Sequence, residues 1–194
     1  MPAQPNHNGR DPHVELIRRT CRHIEANLEG PLTLAALGAQ AGLSPGHLQR
    51  LFKRVTGISP RQYADACRLG VLKARLKDRR TVTMALYEAG YGSSSRLYER
   101  ASTQLGMTPA TYRRGGRHTA IRYTTADCPL GRLLLAGTDR GVCALYLGDR
   151  DGPLEEALGR EFPAAERRRE DSLRDWLAQL LDHLEGRRDR KSVV

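Results

Sequence analysis

The sequence predicts a multi-domain protein in which an all-α, double helix-turn-helix region precedes a small α+β domain. Three observations predict this architecture: one helix-turn-helix pattern occurs twice in roughly the first 115 residues, the apolar period changes from helical to alternating near Ala120, and the excess of positive charge is confined to the first half. A chain of 194 residues has room for one or two domains.

The first repeat consists of two short helices joined by a glycine-containing turn. It follows a helix over residues 13–28, in which apolar residues recur at steps of three and four. Thr33 can cap the next helix, which breaks at Gly42. Ser44, followed by a proline suited to the first helical position, then opens a third helix that stops at Gly57.

A longer helix joins this repeat to the second one. Ser59 opens it in the same manner, and it runs to about Lys77, so its ~18 residues form a rod of roughly 27 Å. Thr81 then caps a helix that ends at Gly90, and a further helix stops at Gly106. The repeats read LTLAALGAQAGLSPGHLQRLFKRVTGISP and VTMALYEAGYGSSSRLYERASTQLGMTP, and such a duplication is a stronger signal than either half alone.

The second half has the pattern of a small sheet with helices. Residues 121–124, 133–136 and 142–147 are short apolar or alternating segments separated by turns, which predicts a three-stranded antiparallel meander. Helical patterns follow at residues 154–161 and 172–184. The segment is therefore predicted to be an α+β unit.

The formal net charge of +10 is unevenly distributed. Residues 13–117 contain 18 Lys and Arg against 7 Asp and Glu, whereas residues 118–188 contain 11 against 13. A basic half of this size favours a polyanionic partner, nucleic acid ahead of a membrane surface, although a solvated surface in an arginine-rich protein is the alternative. There is no run of about 20 apolar residues and no secretion signal, so we expect no membrane partner and a cytoplasmic location.

The four cysteines give no sign of a metal site. Cys21, Cys67, Cys128 and Cys143 lie far apart without a Cys-x-x-Cys pair, which argues against both zinc ligation and a disulfide framework. We expect them to act as small apolar residues, and we expect no metal and no cofactor.

The polar residues near the start of each second helix of a repeat are the candidate DNA contacts. Glutamine can pair with adenine and arginine with guanine through two hydrogen bonds, so Gln49 and Arg50 are the candidates for reading bases. Lys53 and Arg54 lie further along and are expected to contact phosphate. The alternative is that all of these are ordinary solvated helix faces. The full set is His47, Gln49, Arg50, Lys53 and Arg54 in the first repeat and Ser94, Ser95, Arg96 and Arg100 in the second.

The long connecting helix would hold the two recognition helices at a fixed distance. If that distance is about one DNA turn, ~34 Å, both helices can enter successive major grooves on one face of the duplex. We therefore expect the protein to bind double-stranded DNA as a monomer.

Two segments resemble the motifs of the AraC/XylS DNA-binding domain: HLQRLFKRVTGISP at residues 47–60 and AGYGSSSRLYERASTQLGMTPATYR at residues 89–113. The second segment resembles in particular the Ada group of adaptive-response regulators and DNA-alkylation repair proteins. Residues 121–149 resemble the ribonuclease-H-like subdomain that precedes the catalytic part of O6-alkylguanine-DNA alkyltransferases. The resemblance covers residues 13–186 and implies a transcriptional regulator of the alkylation-damage response, with promoter DNA and RNA polymerase as partners.

Two departures from the Ada pattern bear on enzymatic activity. Full members begin with a four-cysteine zinc domain and end with a Pro-Cys-His-Arg methyl acceptor, whose thiolate is activated by the histidine. Neither motif occurs here. Cys128 precedes a proline instead of following one, and Cys143 lies in an apolar segment, so neither is a methyl acceptor of this pattern. We therefore expect this chain to transfer no methyl group. The alternative is the N-terminal portion of a bifunctional regulator and methyltransferase; a metabolite-sensing AraC-type regulator ranks last, because a candidate ligand-binding domain is missing.

These patterns divide the chain into four segments. We expect a disordered N-terminus at 1–12, the DNA-binding domain at 13–116, the methyltransferase-type subdomain at 117–186 and an unrelated tail at 187–194. The last residues, DRKSVV, back-translate to GATCGGAAGAGCGTCGTG, which with a following TAG matches a common sequencing-library adapter. We expect that the gene was cut in assembly and that these residues are not natural protein, the alternative being a short basic tail.

Overall fold

The computed structural model describes residues 11–78, 80–91 and 95–184, without the side chains of residues 95–97. The described chain divides into two compact units, one formed by residues up to 74 together with 86–91, and the other by 75–85 together with residues from 92 onward. The predicted fold class, an α-helical helix-turn-helix region followed by an α+β domain, is confirmed. The boundary at residue 116 stays a prediction. The predicted N-terminal segment 1–12 falls outside the described residues except for its last two, and the tail 187–194 does so completely.

Short polar caps set the helix boundaries of the first unit. The carboxylate of Asp11 accepts from the backbone of His13, so α1 begins one residue earlier than expected. Thr33 and Ser44 cap α2 and α3 as predicted. At the start of α4, Ser59 and Gln62 cap each other reciprocally, with the Ser59 backbone 2.8 Å from Gln62 Oε1. The helices up to Glu88, of which α4 and α5 are shared between the two units, are α1 (Pro12–Ala26), α2 (Leu34–Ala41), α3 (Pro45–Thr56), α4 (Pro60–Lys77) and α5 (Val82–Glu88).

One apolar core holds α1, α2, α3 and the start of α4 together. The phenyl ring of Phe52 is completely buried and meets the Tyr63 ring edge-on, with centroids 5.8 Å apart. Because α3 contributes three residues to this core, packing of its buried face fixes its orientation. The buried cluster comprises Ile17, Ile24, Leu37, Leu48, Leu51, Phe52 and Ala64.

The turn of the first repeat depends on two glycines. Gly42 ends α2 in the left-handed region, at φ +69°. Gly38 lies within α2, and a Cβ on it would be only 2.8 Å from the carbonyl oxygen of Leu43. The helix therefore packs directly on the backbone of the turn that leads into α3.

The second unit contains the start of α5, the second helix of the second repeat and the sheet. Its elements are α6 (Ser95–Leu105), α7 (Pro109–Arg113), β1 (Ala120–Cys128), β2 (Gly131–Thr138), β3 (Gly141–Gly148), α8 (Asp151–Glu161), β4 (Glu166–Arg169) and α9 (Arg174–Leu184), with a 3-10 turn at Asp171–Leu173. The predicted antiparallel meander β1–β2–β3 is confirmed, and α6 lies against β3.

The sheet contains a fourth strand that we did not predict from the sequence. Its order is β3-β2-β1-β4, and β4 pairs in parallel with β1, so that Ala120 lies opposite Glu166. The strand reads Glu-Arg-Arg-Arg, is exposed throughout and has no apolar residue, so the alternation that reveals a half-buried strand is missing. Its strand conformation comes from pairing with β1, across the crossover through α8.

Two polar networks fasten this domain. The carboxylate of Asp151 accepts hydrogen bonds from Thr125 at 2.8 Å, from Arg132 at 2.8 Å and from Arg169 at 3.1 Å. These hydrogen bonds, of which the one from Arg132 has the largest effect, lower the pKa of Asp151 to about 2. In the second network, the carboxylate of Glu161 accepts from Tyr112 at 2.6 Å and from Tyr146 at 2.5 Å. Burial, followed by these hydrogen bonds, raises the pKa of both phenols.

Replacing Gly38 by alanine tests the close packing between α2 and its turn. Alanine favours a helix, yet the added methyl group must displace the Leu43 backbone, so we expect Gly38→Ala to lower the free energy of unfolding by about 1–3 kcal/mol. Gly70→Ala is the matched control, because its Cβ in α4 meets open space and should raise stability by about 0.5–1 kcal/mol. Urea unfolding midpoints compare the two, and stabilisation by both substitutions would contradict the packing.

Candidate nucleic-acid interface

The helix α3 is held as a rigid platform by its cap and its buried face. Ser44 Oγ accepts from the backbone N–H of His47 at 3.3 Å, and the helix ends at Gly57, where φ is +80°. Leu48, Leu51 and Phe52 are at most 1% exposed. The other face of α3 is therefore presented outward in a defined orientation.

All five candidate residues of the first repeat lie exposed on that outward face: His47, Gln49, Arg50, Lys53 and Arg54. His47, Arg50 and Arg54 line an open groove of about 440 Å³, together with Ser44 and Leu51. Gln49 and Lys53, four residues apart, share a neighbouring stripe of the helix. The arrangement presents a cationic surface with an amide group among the cations.

No carboxylate among the residues that the structure describes forms an ion pair with the cations of α3. Arg50, Lys53 and Arg54 form no ion pair there. Several arginines of the second domain differ: the guanidinium group of Arg132 lies 2.8 Å from Asp151 and that of Arg168 lies 2.6 Å from Glu166. The positive potential of α3 is therefore not cancelled locally, and a phosphate group can approach without breaking an internal ion pair.

The candidates of the second repeat are described only in part. Ser94 lies outside the described residues, and so do the side chains of Ser95 and Arg96, although both belong to α6. Arg100 is half-buried and has an interaction partner. A contribution of these four residues to DNA binding stays a prediction.

The outward faces of α3 and α6 are chemically different, a feature that the sequence analysis missed. We aligned the sequences of the two repeats on their final glycines, Gly57 and Gly106, which pairs residues 49 positions apart. Phe52 then corresponds to Ala101, and both are fully buried. In this alignment Arg50, Lys53 and Arg54 correspond to Glu99, Ser102 and Thr103. The signal was present in the sequence: α6 lacks the cations that α3 carries at the same three positions.

All four cysteine thiols are at least partly buried. Burial is the main cause of a raised pKa of Cys21 and of Cys67, and Cys143 is buried in β3. Tyr63, which lies close to the first two thiols, donates to Glu25 at 2.5 Å, and this hydrogen bond raises the pKa of its phenol.

Two further properties hold for residues 11–78, 80–91 and 95–184. No group of three or more His, Cys, Asp or Glu side chains is positioned there to hold a metal ion. None of the helices in these ranges combines the length and the apolar character needed to cross a lipid bilayer.

Two protein-family models match the chain. The model for a helix-turn-helix domain matches residues 37–115, and that for the ribonuclease-like domain of 6-O-methylguanine DNA methyltransferase matches residues 121–192. The boundary between the two matches falls close to the end of α7.

Curated relatives of two kinds match the chain. It is 42% identical over 159 residues to the bifunctional transcriptional activator/DNA repair enzyme Ada of Escherichia coli K12, covering 82% of this chain and 44% of that protein. The regulatory protein ada of Salmonella typhimurium is 38% identical, and 48% of it is covered. This chain thus spans less than half the length of either Ada relative. The multiple antibiotic resistance protein MarA of Salmonella typhimurium is 34% identical over 101 residues, covering 52% of this chain and 80% of MarA.

Among solved structures, a probable AraC family transcriptional regulator from Rhodopseudomonas palustris CGA009 matches 53% of this chain and 98% of its own chain. The two are 27% identical, and the TM-score is 0.47.

Proposed function

Because the chain belongs to the AraC-type helix-turn-helix family and is Ada-like in sequence over most of its length, we propose that it is a sequence-specific regulator that binds promoter DNA in the response to alkylation damage. Its target is double-stranded DNA, and the methyltransferase-type domain accompanies the DNA-binding region in the same polypeptide.

The observation that carries this proposal is the set of unpaired cations on α3. Arg50, Lys53 and Arg54 extend from a helix whose other face is buried, and no carboxylate of the described residues pairs with them. Phosphate contacts supply most of the non-specific affinity of a DNA-binding protein through the release of counterions. A rigid helix with free cations and a glutamine can supply both the phosphate contacts and a direct reading of base edges.

The residues of α3 have different roles in DNA binding, which depend on their position along the helix. Gln49 and Arg50, near its start, read base edges in the major groove, and Arg50 takes guanine through two hydrogen bonds. Lys53 and Arg54, one turn later, hold the phosphate backbone. The second repeat contributes Ser94, Ser95, Arg96 and Arg100 to an adjacent major groove. On this account, one copy of the chain occupies two half-sites as a monomer in the cytoplasm and acts on RNA polymerase at the promoter.

The proposal is tested by comparing two substitutions on α3, with a duplex selected by the chain from a randomised pool. We expect the logarithm of the unchanged chain's affinity to fall linearly with the logarithm of salt concentration. Lys53→Gln should reduce that slope by about 0.9 and weaken binding to all sequences alike, because one phosphate contact is lost. Arg50→Ala should instead relax base preference at one position, at a cost of about 1–3 kcal/mol of discrimination.

The matched control is Arg150→Gln. Arg150 is exposed at the start of α8 and forms no ion pair among the residues described, so its loss removes a free charge outside α3. The slope and the base preference should both stay unchanged. Binding that is insensitive to salt, or no binding to any duplex by the unchanged chain, would remove this function.

A second candidate follows from the match at residues 121–192 and from the share of the Ada relatives that the chain covers. In this reading, the chain is the non-catalytic N-terminal portion of a bifunctional regulator and methylated-DNA–protein-cysteine methyltransferase. Sequencing the source gene past the codon for Gly186 tests it. An open frame that continues to a Pro-Cys-His-Arg motif supports the candidate, and a stop directly after Val194 contradicts it.

A further inference from the structure

The second recognition helix lacks the phosphate-binding cations of the first. At the positions of Lys53 and Arg54, α6 carries Ser102 and Thr103, and Ser102 is only 6% exposed. At the position of Arg50, α6 carries Glu99, which repels phosphate. Arg96 and Arg100 lie at other positions of α6, so a cation at the end that carries Glu99, Ser102 and Thr103 has to come from another part of the chain.

A cation from the methyltransferase-type domain lies at this place. Arg140, in the tight turn between β2 and β3, lines an open groove of about 280 Å³ together with residues of α6 and the segment that follows it. The other lining residues are Tyr98, Glu99, Ser102, Thr103 and Thr108. Three of these five occupy the α6 positions that correspond to Arg50, Lys53 and Arg54, so Arg140 borders the part of α6 that lacks those cations.

A side-chain hydrogen bond and a close backbone approach connect the turn that carries Arg140 to the end of α6. Thr138 Oγ1 donates to the carbonyl oxygen of Gly106, and it accepts from the backbone N–H of Arg140 at 3.0 Å. A Cβ on Gly106, whose φ is +65°, would be 2.7 Å from the carbonyl oxygen of Gly141. The turn and the helix end are therefore in direct backbone contact, which fixes the position of Arg140 relative to α6.

The charges around Arg140 leave it available to an external anion. The neighbouring Asp139 is held by Arg122, with Oδ1 and a guanidinium nitrogen 2.5 Å apart. Arg140 forms no ion pair with any described residue, and this includes Glu99 in the same groove. The turn thus presents one unpaired positive charge beside the face of α6.

We propose that Arg140 binds a DNA phosphate and thereby supplies positive charge beside Glu99, Ser102 and Thr103, the α6 positions that correspond to the three cations of α3. The methyltransferase-type domain then contributes directly to the DNA-binding surface. This inference rests on the proposed function, because it needs α6 to approach a duplex. The alternative is that Arg140 binds no DNA and only offsets the negative charge of Glu99.

The test measures the salt dependence of binding to the duplex selected by the unchanged chain. Arg140→Gln should reduce the slope of log affinity against log salt by about 0.9, as Lys53→Gln does, and should weaken binding to all sequences alike. Arg150→Gln, which removes a free arginine elsewhere in the same domain, should leave the slope unchanged. Circular dichroism and urea unfolding establish that each variant is folded.

A rescue variant tests whether the position of the cation is what matters. Thr103 is exposed and corresponds to Arg54, so Thr103→Arg combined with Arg140→Gln should restore the lost slope. The same Arg140→Gln change in a Glu99→Gln background should still reduce the slope. If it has no effect there, Arg140 acts only on Glu99 and the proposal is overturned.

Different results would overturn the Arg140 contact and the regulator function. If the unchanged chain and Lys53→Gln behave as expected while Arg140→Gln leaves the slope unaltered, the contact by Arg140 is overturned and the regulator function stands. If the unchanged chain shows no salt-dependent binding to DNA, the proposed function is overturned and the Arg140 contact with it.

Discussion

The pairing of charges within the chain is the constraint on which the functional account depends. In the sheet domain, carboxylates hold Arg132, Arg168 and Arg169 in internal ion pairs, whereas the cations of α3 have no such partner among the described residues. An ion pair must be broken before its arginine can bind phosphate, and an unpaired arginine carries no such cost. The caps, the buried face of α3 and the close packing at Gly38 all hold the unpaired set in one orientation.

Helix boundaries could be predicted from the sequence because the physics that sets them is local. A serine or threonine followed by proline satisfies the free N–H groups of the first turn within a few residues, as Ser44 and Thr108 do. β4 could not be predicted for the opposite reason. Its four charged residues become a strand only because β1, more than forty positions earlier, offers a free edge for parallel pairing.

The candidate site could be predicted in part. The spacing of α3 was sufficient to indicate which side chains face outward, and the structure places all five on the exposed side. The difference between Arg50 and Glu99 is one of residue type at matched positions of the two repeats, so it could be predicted from the sequence alone. Arg140 could not be found from the sequence, because only the packing of the β2–β3 turn on Gly106 brings it to α6. The second domain thus has a role in DNA binding on this account that its own sequence pattern does not indicate.

The central claim, that unpaired and not merely abundant arginines bind DNA, is tested most directly by nuclear magnetic resonance. The side-chain Nε–Hε signals of an isotope-labelled chain would be followed while the selected duplex is added. The account predicts that the signals of Arg50 and Arg54 shift, whereas those of Arg132 and Arg169, held by Asp151, keep their positions. Shifts at Arg132 and Arg169 with unchanged signals at Arg50 and Arg54 would contradict it.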